Sequence, residues 1–190
     1  MNKERVVEIF KKTNVLQEGH FKLTSGKHSD QYLQCAQVLQ YPEYTQELCE
    51  GLAAKFEDKE IDLVVSPAIG GIIISYAVGK ALGKKAIFAE REEGDMTLRR
   101  GFAIEEGAKV LVVEDVTTTG GSVQEVIDVV KENGGEVVGV GILVDRSGGE
   151  VDFGVQKEAL LTLEVKAYDP DECPLCAKEM PINKPGSRDI

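Results

Sequence analysis

Four apolar residues running directly into two carboxylates, Val110-Leu111-Val112-Val113-Glu114-Asp115, constrain this chain more than any other segment. With Lys109 they read as one continuous strand, and a strand that is apolar on both faces needs cover on both. The hydroxyl and glycine loop Thr117-Thr118-Thr119-Gly120-Gly121-Ser122 follows, and then a helix with Val123, Val126, Ile127 and Val130 on one face. Asn133-Gly134-Gly135 stops that helix.

The same alternation runs through the centre of the chain. Residues 63–66 read as a short buried strand, 67–71 (PAIGG) as a glycine-containing loop, 72–82 as an apolar helix, and 85–90 and 136–144 as further strands. Upstream, residues 3–12 form an amphipathic helix. Phe21 to Leu23 and Tyr32 to Cys35 flank the turn-rich TSGKHSD as short strands. Pro42 opens a helix at its favoured first position, with Leu48, Leu52 and Phe56 on one face. Residues 91–102 have no core-like pattern. Apolar strands alternating with amphipathic helices predict an α/β, doubly wound fold with a mostly parallel central sheet and flanking helices.

In such sheets ligands bind outside the carboxyl ends of the strands. The helix after Thr117–Ser122 offers unpaired N–H groups and a positive partial charge, and glycines let the backbone approach an anion closely. The loop therefore reads as a phosphate cradle. Glu114 and Asp115 beside it suit a sugar phosphate, because carboxylates accept hydrogen bonds from ribose hydroxyls and support a cationic sugar carbon or a metal ion. There is no G-x-x-x-x-G-K-[ST], and the dinucleotide pattern starting at Gly139-Val140-Gly141 breaks at its third glycine.

Composition closes off other classes. The 190 residues suit one compact domain, and 42% hydrophobic content is enough for a core. No apolar run reaches the ~20 residues of a membrane span, and the charged N-terminus is unlike a signal peptide, so a cytoplasmic location is expected. Net charge is 22 − 33 = −11, which argues against nucleic acid as a partner. Cys35 and Cys49 read as buried thiols. Cys173-Pro-Leu-Cys176 could be half of a metal site, but a zinc site needs two more ligands, and His20 and His28 lie far away in sequence. The pair reads as a tail turn with reduced thiols, and substoichiometric zinc is expected.

VLVVEDVTTTGGS resembles the phosphoribosyl pyrophosphate signature of type I phosphoribosyltransferases. The resemblance implies their fold, with a flexible loop and a small hood. It implies that Thr117, Thr118, Thr119, Gly120, Gly121 and Ser122 hold the 5-phosphate, that Val116 joins them in the phosphoribosyl pyrophosphate site, and that Glu114 and Asp115 face the ribose. FKLTSGKHS (21–29), the PAIGG loop and Leu143-Val144-Asp145-Arg146 are similar to segments of the orotate phosphoribosyltransferases in particular. That implies Ala68 and Ile69 in the pyrophosphate loop, Arg146 on the orotate carboxylate, and Thr118, Tyr32 and Ser25 at the base. A carboxylate ligand suits an arginine, which binds it bidentately. The tail from Asp169 resembles one bacterial and archaeal branch.

The resemblance further implies Mg²⁺ carried mainly by the substrate, with no protein metal ligand, and a homodimer whose loop reaches the partner's site. One domain over 1–190 is expected, with a hood segment at 1–40, an α/β core at 41–168 and a peripheral tail at 169–190. Two positions depart from the family. The mobile loop has no lysine or histidine, so Arg91, Arg99 and Arg100 must supply its charge, with Arg99 and Arg100 in the catalytic role. Gly70 stands where some members place lysine. Two rivals remain: transfer to another base, which Arg146 and FKLTSGK oppose, and a regulator that senses phosphoribosyl pyrophosphate, which the acidic charge and the lack of an added DNA-binding domain oppose.

Overall fold

Burial on both faces of three neighbouring strands organises the molecule. The computed structural model describes residues 1–23, 25–163 and 166–184. Thr24 and residues 185–190, part of the segments compared with the family above, lie outside the described residues. In order, the elements are α1 (Lys3–Lys12), β1 (Leu16–Lys22), β2 (His28–Leu33), α2 (Ala36–Leu39), α3 (Pro42–Ala53), β3 (Leu63–Pro67), α4 (Gly70–Leu82), β4 (Lys85–Glu92), β5 (Asp95–Leu98), β6 (Lys109–Thr117), α5 (Gly121–Glu132), β7 (Glu136–Asp145) and β8 (Lys157–Thr162). No helix among the described residues is long and apolar enough to cross a membrane.

The main sheet runs β5-β4-β3-β6-β7-β8. It is parallel except for the β4–β5 pair. Strand alternation sends consecutive residues to opposite faces, and both faces are covered. Val64, Leu111, Val113 and Leu143 join α1, α3 and α4 in one core, while Val65, Val110, Val112, Val140 and Ile142 join α5 in the other. The doubly wound reading therefore holds, and its physical basis is this two-sided burial.

Three features differ from the sequence reading. The polar stretch after Arg91 begins as a hairpin: Glu92 pairs with Asp95 across Glu93 and Gly94, whose φ values of 54° and 105° form the tight turn. Met96 and Leu98 alternate and pack on the second core, a two-residue signal hidden among charges. β8 was not anticipated, and β2 starts at His28, inside the segment read as a turn. The tail does not hang free. Lys22 N–H donates to Asn183 O and Asn183 N–H to His20 O, both at 2.8 Å, while His28 and Tyr168 exchange two bonds of 2.8 Å. A two-stranded ribbon leaves two open edges, and residues 168 and 183 cover parts of both. α1 packs in the first core with Leu160 and Leu161 of β8, so residues 1–40 divide between the core and the ribbon.

The expected α3 face holds as well: Leu48, Leu52 and Phe56 are fully buried. Phe56 follows α3 in a short 3-10 turn and lies on the glycines of β7. A Cβ at Gly139 would stand 2.7 Å from the ring, and one at Gly141 3.2 Å. The G-V-G of β7 is thus a seat for an aromatic ring rather than a nucleotide fingerprint. Phe56→Ala should cost ~3–5 kcal/mol by leaving a cavity, and Gly139→Ala should destabilise by steric overlap. Urea unfolding checks both, and an unchanged midpoint in either variant contradicts this packing.

Candidate active site

The strand order creates a crevice between β3 and β6. α4, which leaves β3, covers one face, and α5, which leaves β6, covers the other. Connections that depart in opposite directions leave an opening at the strands' carboxyl ends. The β3 loop, Pro67 to Gly71, and the β6 loop, Glu114 to Ser122, meet there. The Ala68–Ile69 peptide is cis, and Ala68 N–H donates to Ala89 O at 2.7 Å.

The start of α5 fits an anion. Its cap, Gly120, has φ 79° and no side chain to bond the first-turn N–H groups. A Cβ there would stand 2.7 Å from Val151 and 2.9 Å from Phe153, so only glycine suits both the conformation and the space. Glu114, Val116, Thr117, Thr118, Thr119, Gly120, Gly121, Ser122 and Val123 line a pocket of about 80 Å³. That is well below the ~300 Å³ of a site enclosing a whole ligand, so it suits one small charged group. Thr118 and Thr119 are exposed, and Thr117 is buried.

Glu114 and Asp115 sit beside this pocket in the last turns of β6, which runs on to Thr117. Asp115 N–H donates to Glu114 Oε1 at 3.0 Å, and Val116 N–H to Asp115 Oδ1 at 2.7 Å. Burial, and then the neighbouring Asp115 charge, push Glu114 up to about 9. Burial also raises Asp115. The pair therefore keeps a proton at neutral pH while no cation stands near it. The α4 glycines fit closely over it: a Cβ at Gly70 would lie 2.7 Å from Asp115 Oδ2, and one at Gly71 2.7 Å from Ser66 Cβ.

Arg146 occupies the next strand end. Its N–H donates to Thr117 O at 2.9 Å, which ties it to the cradle. Its Nε is buried without a hydrogen-bond partner, and its guanidinium makes no ion pair among the described residues. Burial works against its charge, while Cys35 and Tyr32 favour it. Tyr32 stacks at 5.5 Å on Phe21. Asp145 is 1% exposed and accepts from Ser147 N–H at 2.8 Å, Ser147 Oγ at 2.6 Å and Lys157 Nζ at 2.9 Å. Lys157 also donates to Gly149 O and Val151 O, so one ammonium gathers the loop that carries Arg146.

Sequence reasoning missed several of these groups. Lys157 lies in the strand that it did not anticipate. Cys35 feels the charges of Asp115, Arg146 and Glu114, yet it reads locally as a core thiol. Ser66 Oγ is buried and without a partner, beneath Gly71. Only the tertiary approach of β2, β3 and β6 reveals these two.

Several other expected residues are exposed. Ser25 is exposed on the ribbon turn, and Ile69 is 84% exposed. The three arginines pair with acids near their hairpin: Arg91 with Glu125, Arg99 with Glu92 at 3.1 Å, and Arg100 with Glu90 at 3.0 Å. None of them forms an ion pair with Glu114 or Asp115 of its own chain among the described residues.

Residues 36–153 match the Phosphoribosyl transferase domain family. Orotate phosphoribosyltransferase of Desulforamulus reducens is 60% identical over 190 residues, covering 100% of both chains. That of Caldicellulosiruptor bescii is 58% identical over 188 residues, 99% of each. The crystal structure of orotate phosphoribosyltransferase from Aeropyrum pernix superposes with a TM-score of 0.68 at 25% identity, over 84% of this chain and 94% of that one.

The Glu114 shift has a consequence for stability. A carboxyl raised in the folded state stabilises below its unfolded pKa, and that stability is lost as pH rises through the folded value, here from about 4.5 to about 9. Glu114→Gln removes the loss. Its melting temperature should match the parent near pH 5 and exceed it by several degrees near pH 8.5, at ~2–4 °C per kcal/mol for a chain of this size. A difference that stays constant with pH would mean that Glu114 titrates normally.

Proposed function

The chain belongs to the orotate phosphoribosyltransferase family, and we propose from the geometry of the crevice how its side chains transfer ribose 5-phosphate from phosphoribosyl pyrophosphate to orotate. The products are orotidine 5-phosphate, on the route to UMP in pyrimidine biosynthesis, and pyrophosphate. In this reading the N-terminus of α5 and residues 117–122 hold the 5-phosphate by backbone N–H groups and hydroxyls. Glu114 and Asp115 accept hydrogen bonds from the ribose hydroxyls, which fixes the anomeric carbon between the β3 and β6 loops. Ala68 and Ile69 bound the pyrophosphate side.

As the bond from the anomeric carbon to pyrophosphate breaks, positive charge grows on the sugar, and the two carboxylates favour it. The orotate ring nitrogen forms the new bond from the opposite face and gives up its N–H proton, which leaves with the pyrophosphate or to solvent. Catalysis is mostly positioning and electrostatics. The all-oxygen donors Glu114 and Asp115, whose joint ionisation burial resists, fit a nearby hard cation. Mg²⁺ bound with the diphosphate would offset its charge and make it a better leaving group.

The observation that carries the choice of base is the part-buried Arg146 guanidinium, whose Nε is buried without a hydrogen-bond partner and which makes no ion pair among the described residues. Lone buried charge is costly, and a ligand carboxylate relieves that cost with bidentate bonds. Thr118, Tyr32 and Ser25 complete the base side. Four cysteines, none of them in a disulfide among the described residues, suit the cytoplasm. Ile69, Ile73 and Tyr76, 84%, 45% and 69% exposed, form an apolar stripe at the start of α4 that supports a homodimer. Arg99 and Arg100 pair with Glu92 and Glu90 and Arg91 with Glu125, so delivery of their charges to the partner's pyrophosphate requires these exposed pairs to open.

Product analysis with orotate, uracil, hypoxanthine and adenine tests the base, and only orotate should yield a nucleotide. Arg146→Ala should weaken orotate by roughly ten- to a hundredfold, the equivalent of ~1.5–3 kcal/mol for a charged hydrogen bond, and change phosphoribosyl pyrophosphate much less. Equal weakening of both substrates would remove Arg146 from the carboxylate.

Loop exchange is tested by mixing dead parents. Arg99→Ala/Arg100→Ala and Asp115→Asn homodimers each lose both sites, whereas their heterodimer places both defects in one site and leaves the other whole. Pyrophosphate release should return on subunit exchange. Heterodimers that stay inactive would show that the loop acts within its own chain.

A further inference from the structure

The ribbon and the tail bring four metal-binding side chains to one point. His20 and His28 come from the two strands of the ribbon, at either side of its turn, and Cys173 and Cys176 from the tail. One ligand atom from each lies within 4.8 Å of all the others. His20 Nε2 stands 3.1 Å from His28 Nδ1. Cys173 Sγ is 3.6 Å from His20 Nε2, and Cys176 Sγ is 3.7 Å from that atom and 3.2 Å from His28 Nδ1. A tetrahedral zinc with Zn–N near 2.0–2.1 Å and Zn–S near 2.3 Å has N···N edges of roughly 3.3 Å and N···S edges of roughly 3.6 Å. These four separations lie within about 0.4 Å of those edges, and every remaining pair lies within 4.8 Å.

The chemistry agrees with the spacing. Two imidazoles and two thiolates form a set of borderline and soft donors that selects zinc over magnesium or calcium. His20 Nδ1 lies 2.9 Å from Met180 O. A carbonyl only accepts, so Nδ1 carries the proton and the Nε2 lone pair points to the cluster, with its outer hydrogen bond already made. His20, His28 and Cys173 are 3%, 6% and 3% exposed, while Cys176 lies at the surface.

We propose that His20, His28, Cys173 and Cys176 bind one structural zinc ion that clamps the tail to the β1–β2 ribbon. This replaces the expectation of substoichiometric zinc, which rested on the sequence distance between the histidines and the cysteines. Four protein ligands leave no open position, so the ion performs no chemistry on substrate. It ties together the ends of the turn that carries Ser25 and steadies a two-stranded ribbon that is marginal alone.

Untagged protein from zinc-supplied cells, freed of loose metal by gel filtration, should contain about one zinc per chain by elemental analysis. Cys173→Ser/Cys176→Ser should lose it, and proteolysis should then cut the tail faster. Cobalt exchanged into the intact parent should show tetrahedral d–d bands and thiolate charge transfer, a readout that does not depend on the variant folding. Less than about 0.2 zinc per chain in the parent, a Cys173–Cys176 disulfide found by mass spectrometry, or a double variant that keeps its metal would each overturn the proposal.

Discussion

Two carboxylates held out of water at the end of a buried strand are the constraint on which the rest of the site depends. Glu114 and Asp115 stand where β6 leaves the core, and burial opposes their joint ionisation. The surroundings fit that burden. Gly70 and Gly71 leave room where any Cβ would collide, and the uncapped start of α5 places partial positive charge beside the acids. The pair resists full charge while it stands alone, and a cation or a cluster of hydroxyl donors beside it would relieve that resistance. This ties the affinity of the crevice to the charge of what enters it.

A second polar centre, Asp145 with Lys157, holds the loop that carries Arg146 as the glycines hold the approach to Glu114 and Asp115. Its bonds reach Ser147, Gly149 and Val151. Val151 also packs against the Cβ position of Gly120, so one loop touches both the arginine corner and the phosphate cradle. The geometry of the crevice is thus held by a few buried groups on adjacent strand ends rather than by one long loop.

The sheet, its two covered faces and the β6 loop were legible because each is a local pattern: continuous apolar runs, a period-four face on α3, and a cap built of hydroxyls and glycine. The β4–β5 hairpin was not, because Met96 and Leu98 carry its only apolar alternation among Glu92, Glu93, Asp95 and Arg99. β8 was missed because it lies next to β7 at the sheet edge with half-buried residues. Cys35 and Ser66 were legible only as core residues. Their approach to Asp115 and Glu114 depends on how the ribbon and β3 meet, which no local spacing encodes. The histidines and the tail cysteines fail for the same reason on a longer scale.

The contact between ribbon and tail also sets an order in time. His20 and Met180 are 160 positions apart, so a chain emerging from the ribosome can close its central sheet well before the ribbon finds its cover. During that interval the edges of β1 and β2 are open to pair with any extended segment nearby, including the same segment of another nascent chain. The acidic surface, at a net charge of −11, opposes such encounters by mutual repulsion. The segment from Tyr168 to Asn183, made long after the ribbon, is thus the one that closes its edges.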